Sequence, residues 1–131
     1  MTYLVDTDWL INSYRGTRLA TETIKQLHPE RLAVSIISVG ELYEGAMTSS
    51  NPDAELTLFD RLLEPFTTLP LDNACMQHFA SIRSTLRRQG QLIPDLDILI
   101  ASTALRHDLI LITANLRHFA RIPSLRLYQP R

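Results

Sequence analysis

Short apolar runs alternate with helix-length segments along the whole chain, and this alternation limits the possible folds more than any other feature. Tyr3–Asp6, Leu32–Ser35, Phe66–Leu69 and Leu109–Thr113 read as strands, with Leu125–Leu127 as a last edge strand. Asp8–Tyr14 and Thr17–Leu27 read as two helices broken at Gly16, and a third runs from about Ile37 to Met47. Asn51 followed by Pro52 supplies a capping amide and then a first-turn proline, so a helix is expected from there to Glu64, where Pro65 stops it. Cys75, Phe79, Ile82 and Leu86 form one apolar stripe on a helix from Asp72 to Gln89, closed by Gly90. A loop with Pro94 leads to a helix from about Asp95 to His107, and Asn115–Phe119 reads as a short helical turn. Strands separated by helices are βαβ units. The expected class is therefore α/β, with a parallel sheet of four to five strands flanked by helices on both faces.

Composition narrows the function classes. A chain of 131 residues makes one ordinary domain, and 45% hydrophobic with 21% charged residues is a globular balance. The apolar runs are too short for a membrane span or a signal peptide core. A single cysteine, Cys75, cannot make an internal disulfide and lies on the apolar stripe, so a reducing cytoplasm is the expected location. The net charge of −1 hides an asymmetry: residues 1–65 hold ten Asp/Glu and five Lys/Arg, residues 66–131 four Asp and eight Arg. Arginine pairs bidentately with phosphate and stacks on bases, so the second half is compatible with an RNA contact face; a solvated surface explains it about as well.

In open parallel sheets ligands bind beyond the carboxyl ends of the strands, where strand order reverses. Functional polar residues should thus sit at strand ends or on the next helical turn. Asp6 closes the first strand; it also reads as a helix cap, although Thr7 and Asp8 can serve that purpose. Asp97 sits in the first turn of a helix that is apolar nearly all round, from Ile98 to Leu105. An uncompensated charge there costs several kcal/mol, more than the ~0.3–2 kcal/mol a helix dipole returns. A cation or an arginine would close the gap. Asp95 is the expected cap, leaving Asp97 free. Thr113 and Asn115 end the fourth strand and can bond a water or a phosphate oxygen, or simply cap a turn. Glu41 points away from the stripe of Val39, Leu42, Tyr43 and Ala46, which favours a solvated role, but small Ser38 and Gly45 leave room beside it. Carboxylates converging at one sheet end repel unless a divalent ion neutralises them. An all-oxygen donor set selects Mg²⁺ or Mn²⁺ over Zn²⁺, and suits phosphodiester hydrolysis.

The strings YLVDTDWLI, LAVSIISVGELYEGA, IPDLDILIASTAL and LITANLRHFARIPSL, in this order and spacing, resemble PIN-domain proteins and more narrowly VapC-type toxins of toxin–antitoxin pairs. The resemblance spans residues 3–128 and makes the whole chain, 1–131, one PIN domain. It implies endoribonuclease activity, a Mg²⁺ or Mn²⁺ site, a homodimer, a small cognate antitoxin and an RNA substrate, with transfer RNA the first guess. It also implies catalytic and metal-binding roles for Asp6, Glu41 and Asp97, with Asn115 at the last, usually acidic, ligand position and Thr113 in support; Thr7, Asp8 and Asp95 are supporting candidates from their places beside Asp6 and Asp97. An amide at that last position puts a second metal ion in doubt.

Arg83, Arg87 and Arg88, near the end of one helix, are the candidate RNA-backbone contacts. His28, His78, His107 and His118 show no paired ligand spacing, and no metal role is read for them. Two rivals remain. LVDTDWL also resembles the strand-ending motif of haloacid-dehalogenase phosphatases, with Asp6 as nucleophile, but no lysine follows Lys25 and no late acidic pair follows Leu109–Thr113. A non-catalytic RNA-binding PIN module is the other.

Overall fold

The computed structural model describes residues 1–129. Strands β1 (Tyr3–Val5), β2 (Leu32–Ser35), β3 (Thr67–Leu69) and β4 (Ile110–Ile112) form one parallel sheet in the order β3-β2-β1-β4. The helices are α1 (Thr7–Tyr14), α2 (Arg18–Leu27), α3 (Ile36–Met47), α4 (Pro52–Leu63), α5 (Asn73–Arg88), α6 (Asp95–Arg106) and the short α7 (Leu116–Phe119). Leu4 pairs in register with Ala33 on one side and Leu111 on the other. The chain steps outward from β1 through β2 to β3 and then crosses back to place β4 beside β1. The switch point therefore lies between β1 and β4.

Alternation along the strands sorts the core into two halves. Leu4, Ala33 and Leu111 face Ile82 and Leu86 of α5, Ile98 and Ala101 of α6, and Phe119 of α7. Val5, Val34 and Ile112 face Trp9 and Leu10 of α1, Leu42 of α3, and Phe59 and Leu63 of α4. Each fully buried Leu, Ile or Phe contributes about 1.5–3 kcal/mol, so the strand ends are fixed by packing on both faces. Helix α6 is sequestered as its composition requires: Ile98, Ile100, Ala101, Ser102, Thr103 and Ala104 are all buried. Its interior hydroxyls are satisfied, Ser102 by the Ile98 carbonyl at 2.7 Å and Thr103 by the Leu99 carbonyl at 2.9 Å.

Local chemistry sets the helix starts. The Ser35 hydroxyl accepts from the Ile37 N–H at 3.1 Å, so α3 begins directly at the end of β2 with no loop between them. Asn51 caps α4 ahead of Pro52, and Asp72 caps α5 through the Cys75 N–H at 2.9 Å. Gly90, with φ of 67°, takes the left-handed turn that ends α5.

Three expectations need correction. Asp95 is not the cap of α6; Pro94 holds that position, its fixed φ suiting the entry, and Asp95 is the first helical residue. Leu125–Leu127 does not make a full strand but a single parallel bridge between Leu127 and Leu111, because turns around Pro123 use up the approach. Asp6 lies just past β1 as the cap of α1, which begins at Thr7. Among the described residues no helix is long and apolar enough to cross a membrane.

Candidate active site

At the switch point the Asp6 N–H donates to the Ile112 carbonyl at 2.8 Å, continuing the β1–β4 ladder for one residue. The Asp6 side chain is held at both oxygens: Oδ1 accepts from the Thr7 N–H at 2.8 Å and Oδ2 from the Thr113 hydroxyl at 2.7 Å. Only 5% of the residue is exposed. The Thr113 hydroxyl, having spent its proton on Asp6, accepts from the Asn115 N–H at 2.9 Å.

Glu41 comes from the second turn of α3. Its Oε1 accepts from the Thr7 hydroxyl at 2.7 Å, and that hydroxyl lies 2.8 Å from the buried Ser38 Oγ. Asp8 enters from the first turn of α1 and accepts a long bond from the Ala114 N–H at 3.4 Å. Asp97 enters from the first turn of α6. Together Asp6, Thr7, Asp8, Ile11, Glu41, Asp97 and Asn115 line one cavity of about 230 Å³. A larger hollow of about 630 Å³, between Tyr3, Leu19, Glu22 and Tyr128, holds a single carboxylate and offers no comparable chemistry.

Burial and mutual repulsion dominate the electrostatics. Burial first, and then the charge on Asp8, push Asp6 up from 3.8 to about 7; the bonds from Thr113 and Thr7 oppose this, and Asp97 adds to it. Asp8 is raised by burial and by Asp97. Glu41 is raised by burial, and by Asp97, Glu44 and Asp8, against the bond from Thr7. Asp97 thus raises each of the other three. Among the described residues no Lys or Arg bonds to Asp6, Asp8 or Glu41; the one basic side chain at the cluster is a histidine beside Asp97. Its donors are oxygens, a set that can take a hard divalent cation.

The sequence candidates divide. Asp6, Thr7, Asp8, Glu41, Asp97 and Asn115 share the cavity, with Thr113 directly behind Asp6. Asp95 is absent from its lining and instead pairs with Arg83, Oδ1 to Nε, at 2.8 Å. Arg83 is consequently engaged between α5 and α6, while Arg87 and Arg88 lie exposed at the end of α5. The residue that sequence reasoning missed is His118. Its Nδ1 lies 2.8 Å from Asp97 Oδ2 and 2.8 Å from the Asn115 side-chain amide. The only available signal was its place three residues after Asn115, in a turn that follows the strand carrying Thr113.

A parallel sheet with buried Asp6 and half-buried Asp8, Glu41 and Asp97 gathered at the β1/β4 switch point describes a small α/β domain with an acidic cavity beyond its strand ends. The chain belongs to the PIN-domain family, which matches residues 3–125. It is 33% identical over 126 residues to "Ribonuclease VapC2" of Haemophilus influenzae strain Rd, covering 96% of each chain. It is 28% identical to "tRNA(fMet)-specific endonuclease VapC" of Shigella flexneri over 126 residues, again 96% of each. Among solved structures, DNA-bound VapBC from Salmonella typhimurium superposes with a TM-score of 0.91 at 28% identity, over 98% of this chain and 97% of that one. The expected fold is the observed one.

Proposed function

We propose that the chain is a divalent-metal-dependent endoribonuclease acting as the toxin of a toxin–antitoxin pair. One observation carries the reading: Asp6, Glu41 and Asp97, from the end of β1, from α3 and from α6, line a single cavity in which burial and shared negative charge hold carboxyls high. Such a cluster is stabilised by a cation. Among the described residues no three acidic or imidazole groups close into a finished ligand cage. Mg²⁺ does not need one, since it keeps several waters and is commonly held by one or two carboxylates. The residues present therefore fit a partly hydrated Mg²⁺ or Mn²⁺, with Asp6, Asp97 and Glu41 as its anionic oxygens and Asn115 beside them.

When bound, the ion supplies an activated water and charge stabilisation for phosphodiester hydrolysis. The chain's own residues do the rest. Thr113 and Thr7 fix the orientations of Asp6 and Glu41, so neither carboxylate has to be ordered when substrate arrives. Asp8, raised by burial and by Asp97, lines the same cavity. The phosphatase alternative finds no lysine after Lys25 in the chain to support it.

The relatives' names support ribonuclease action and put transfer RNA first among substrates. The likeness to VapC-type toxins supports a cognate antitoxin, a homodimer and work in the cytoplasm, where buried Cys75 needs no oxidising environment. The test compares RNA cleavage and growth arrest for the unmodified chain and Asp6→Asn, each with Mg²⁺ or with EDTA. Cleavage and arrest by the unmodified chain alone, abolished by EDTA in vitro, are the expected results. Cleavage that survives EDTA, or an equally active Asp6→Asn, overturns the reading.

A further inference from the structure

We infer that His118 is a positioning residue: its Nδ1–H holds Asp97 Oδ2, leaving Oδ1 as the oxygen offered to the cavity. The inference rests on the proposed metal-dependent reading and deepens it. An ionised carboxylate has no proton to give, so the proton in the 2.8 Å contact belongs to Nδ1. A protonated Nδ1 cannot also accept from Asn115. With the amide, 2.8 Å away, set so that its oxygen faces the ring, the one Nδ1 proton is shared between Asp97 Oδ2 and that oxygen.

The placement is firm at both ends. Asp97 stands on the buried helix α6, with 18% of its side chain exposed. His118 precedes Phe119, which is fully buried in the core and anchors α7. The contacts also form one continuous path: Asp97 to His118, His118 to Asn115, the Asn115 N–H to Thr113, and the Thr113 hydroxyl to Asp6. Two acids 91 residues apart in sequence (97 − 6) are thus oriented by a single network. Outer partners of this kind hold ligating carboxylates in place, and their loss typically weakens metal affinity or activity by about 10–100-fold.

Two isosteres separate positioning from mere filling. Asparagine can place an N–H where Nδ1 stands, whereas glutamine reaches toward Nε2 and leaves the Nδ1 position without a donor. Mn²⁺ binding, followed by the loss of the free-ion electron paramagnetic resonance signal, is measured on the unmodified protein, His118→Asn and His118→Gln. The expected result is about 10-fold weaker binding for His118→Gln, with kcat for RNA reduced and KM little changed, and recovery to near the unmodified value in His118→Asn. Equal behaviour of the two variants, whether both impaired or both intact, overturns the inference. A second readout needs no ion: ¹⁵N–¹H spectra of the metal-free, histidine-labelled protein should show a proton on Nδ1 of His118. A lone Nε2 proton overturns the inference by itself. Failure of the unmodified protein to bind Mn²⁺ overturns instead the metal-dependent reading of the site.

Discussion

Asp6 and Asp72 hold the same post in two places. Each follows a strand, each caps the next helix, and each accepts a backbone N–H within the first turn. Their chemistry is opposite. Asp72, on the outer surface, is held down from 3.8 to about 2, first by its bonds with Cys75 and then by Arg106, whose Nε lies 3.0 Å away. Asp6, buried among Asp8 and Asp97, is held up to about 7. Capping geometry therefore says nothing about function. What separates the two aspartates is whether a cation of the protein's own is within reach, and among the described residues none bonds to Asp6.

The sharpest way to break the contrast is to neutralise each side. If Asp97 ligates the ion as proposed, Asp97→Asn should reduce Mg²⁺-dependent RNA cleavage by more than ~100-fold, beyond the about 10–100-fold that loss of an outer partner costs; cleavage assays at saturating RNA measure this. Asp72→Asn should leave cleavage unaltered, and a shared loss would erase the distinction.

Stability should move in opposite senses with pH. The folded pKa of Asp6 lies above its unfolded value, so the folded state binds the extra proton between about pH 4 and 7 and loses stability as pH rises through that window. At about 1.4 kcal/mol per unit, a shift from 3.8 to about 7 has a ceiling of about 4 kcal/mol. Asp6→Asn should then stabilise the metal-free protein at pH 8 by up to that amount, by less than half of it at pH 5 and hardly at pH 3, as read by urea unfolding. Mg²⁺ should raise the melting temperature of the unmodified chain at pH 8 and leave that of Asp6→Asn unmoved.

Thr113→Val removes a hydroxyl that favours ionised Asp6. A bond to a charged group is worth about 1.5–3 kcal/mol, so the Asp6 carboxyl should titrate higher by roughly one unit or more in ¹³C spectra. An unchanged titration would mean that the 2.7 Å contact does not bear on the charge. The smallest effect belongs to the outer aspartate. Because its folded pKa is lowered, its contribution is present above about pH 4 and disappears as pH falls through about 2. Asp72→Asn should lower the melting temperature slightly at pH 7 and not at all near pH 2.

The two aspartates also show how far sequence carries the reading. Strand–helix alternation located β1 to β4 and the helices α3 to α6, and placed Asp6, Asp97 and Thr113 at one sheet end. It could not choose between roles, since Asp6 proved to be a cap as well as a cavity residue. Glu41 was unreadable from its own helix: its face is polar because Thr7, from a different element, lies against it. Asp95 was misread because proline, the residue before it, already fits the helix entry. His118 was passed over because its partners, Asp97 and Asn115, form no repeating histidine spacing. Contacts of that kind exist only once helices are docked.

The pairing of β1 with β4 has a consequence for the life of the chain. Asp6 is made 107 residues ahead of Thr113, yet the carbonyl and hydroxyl that seat it belong to Ile112 and Thr113. Long-range pairing of this sort forms only after the intervening loop has closed. A nascent chain that already carries Asp6, Glu41 and Asp97 still lacks the edge that seats Asp6, and the cavity cannot be completed before Ile112 and Thr113 have been made.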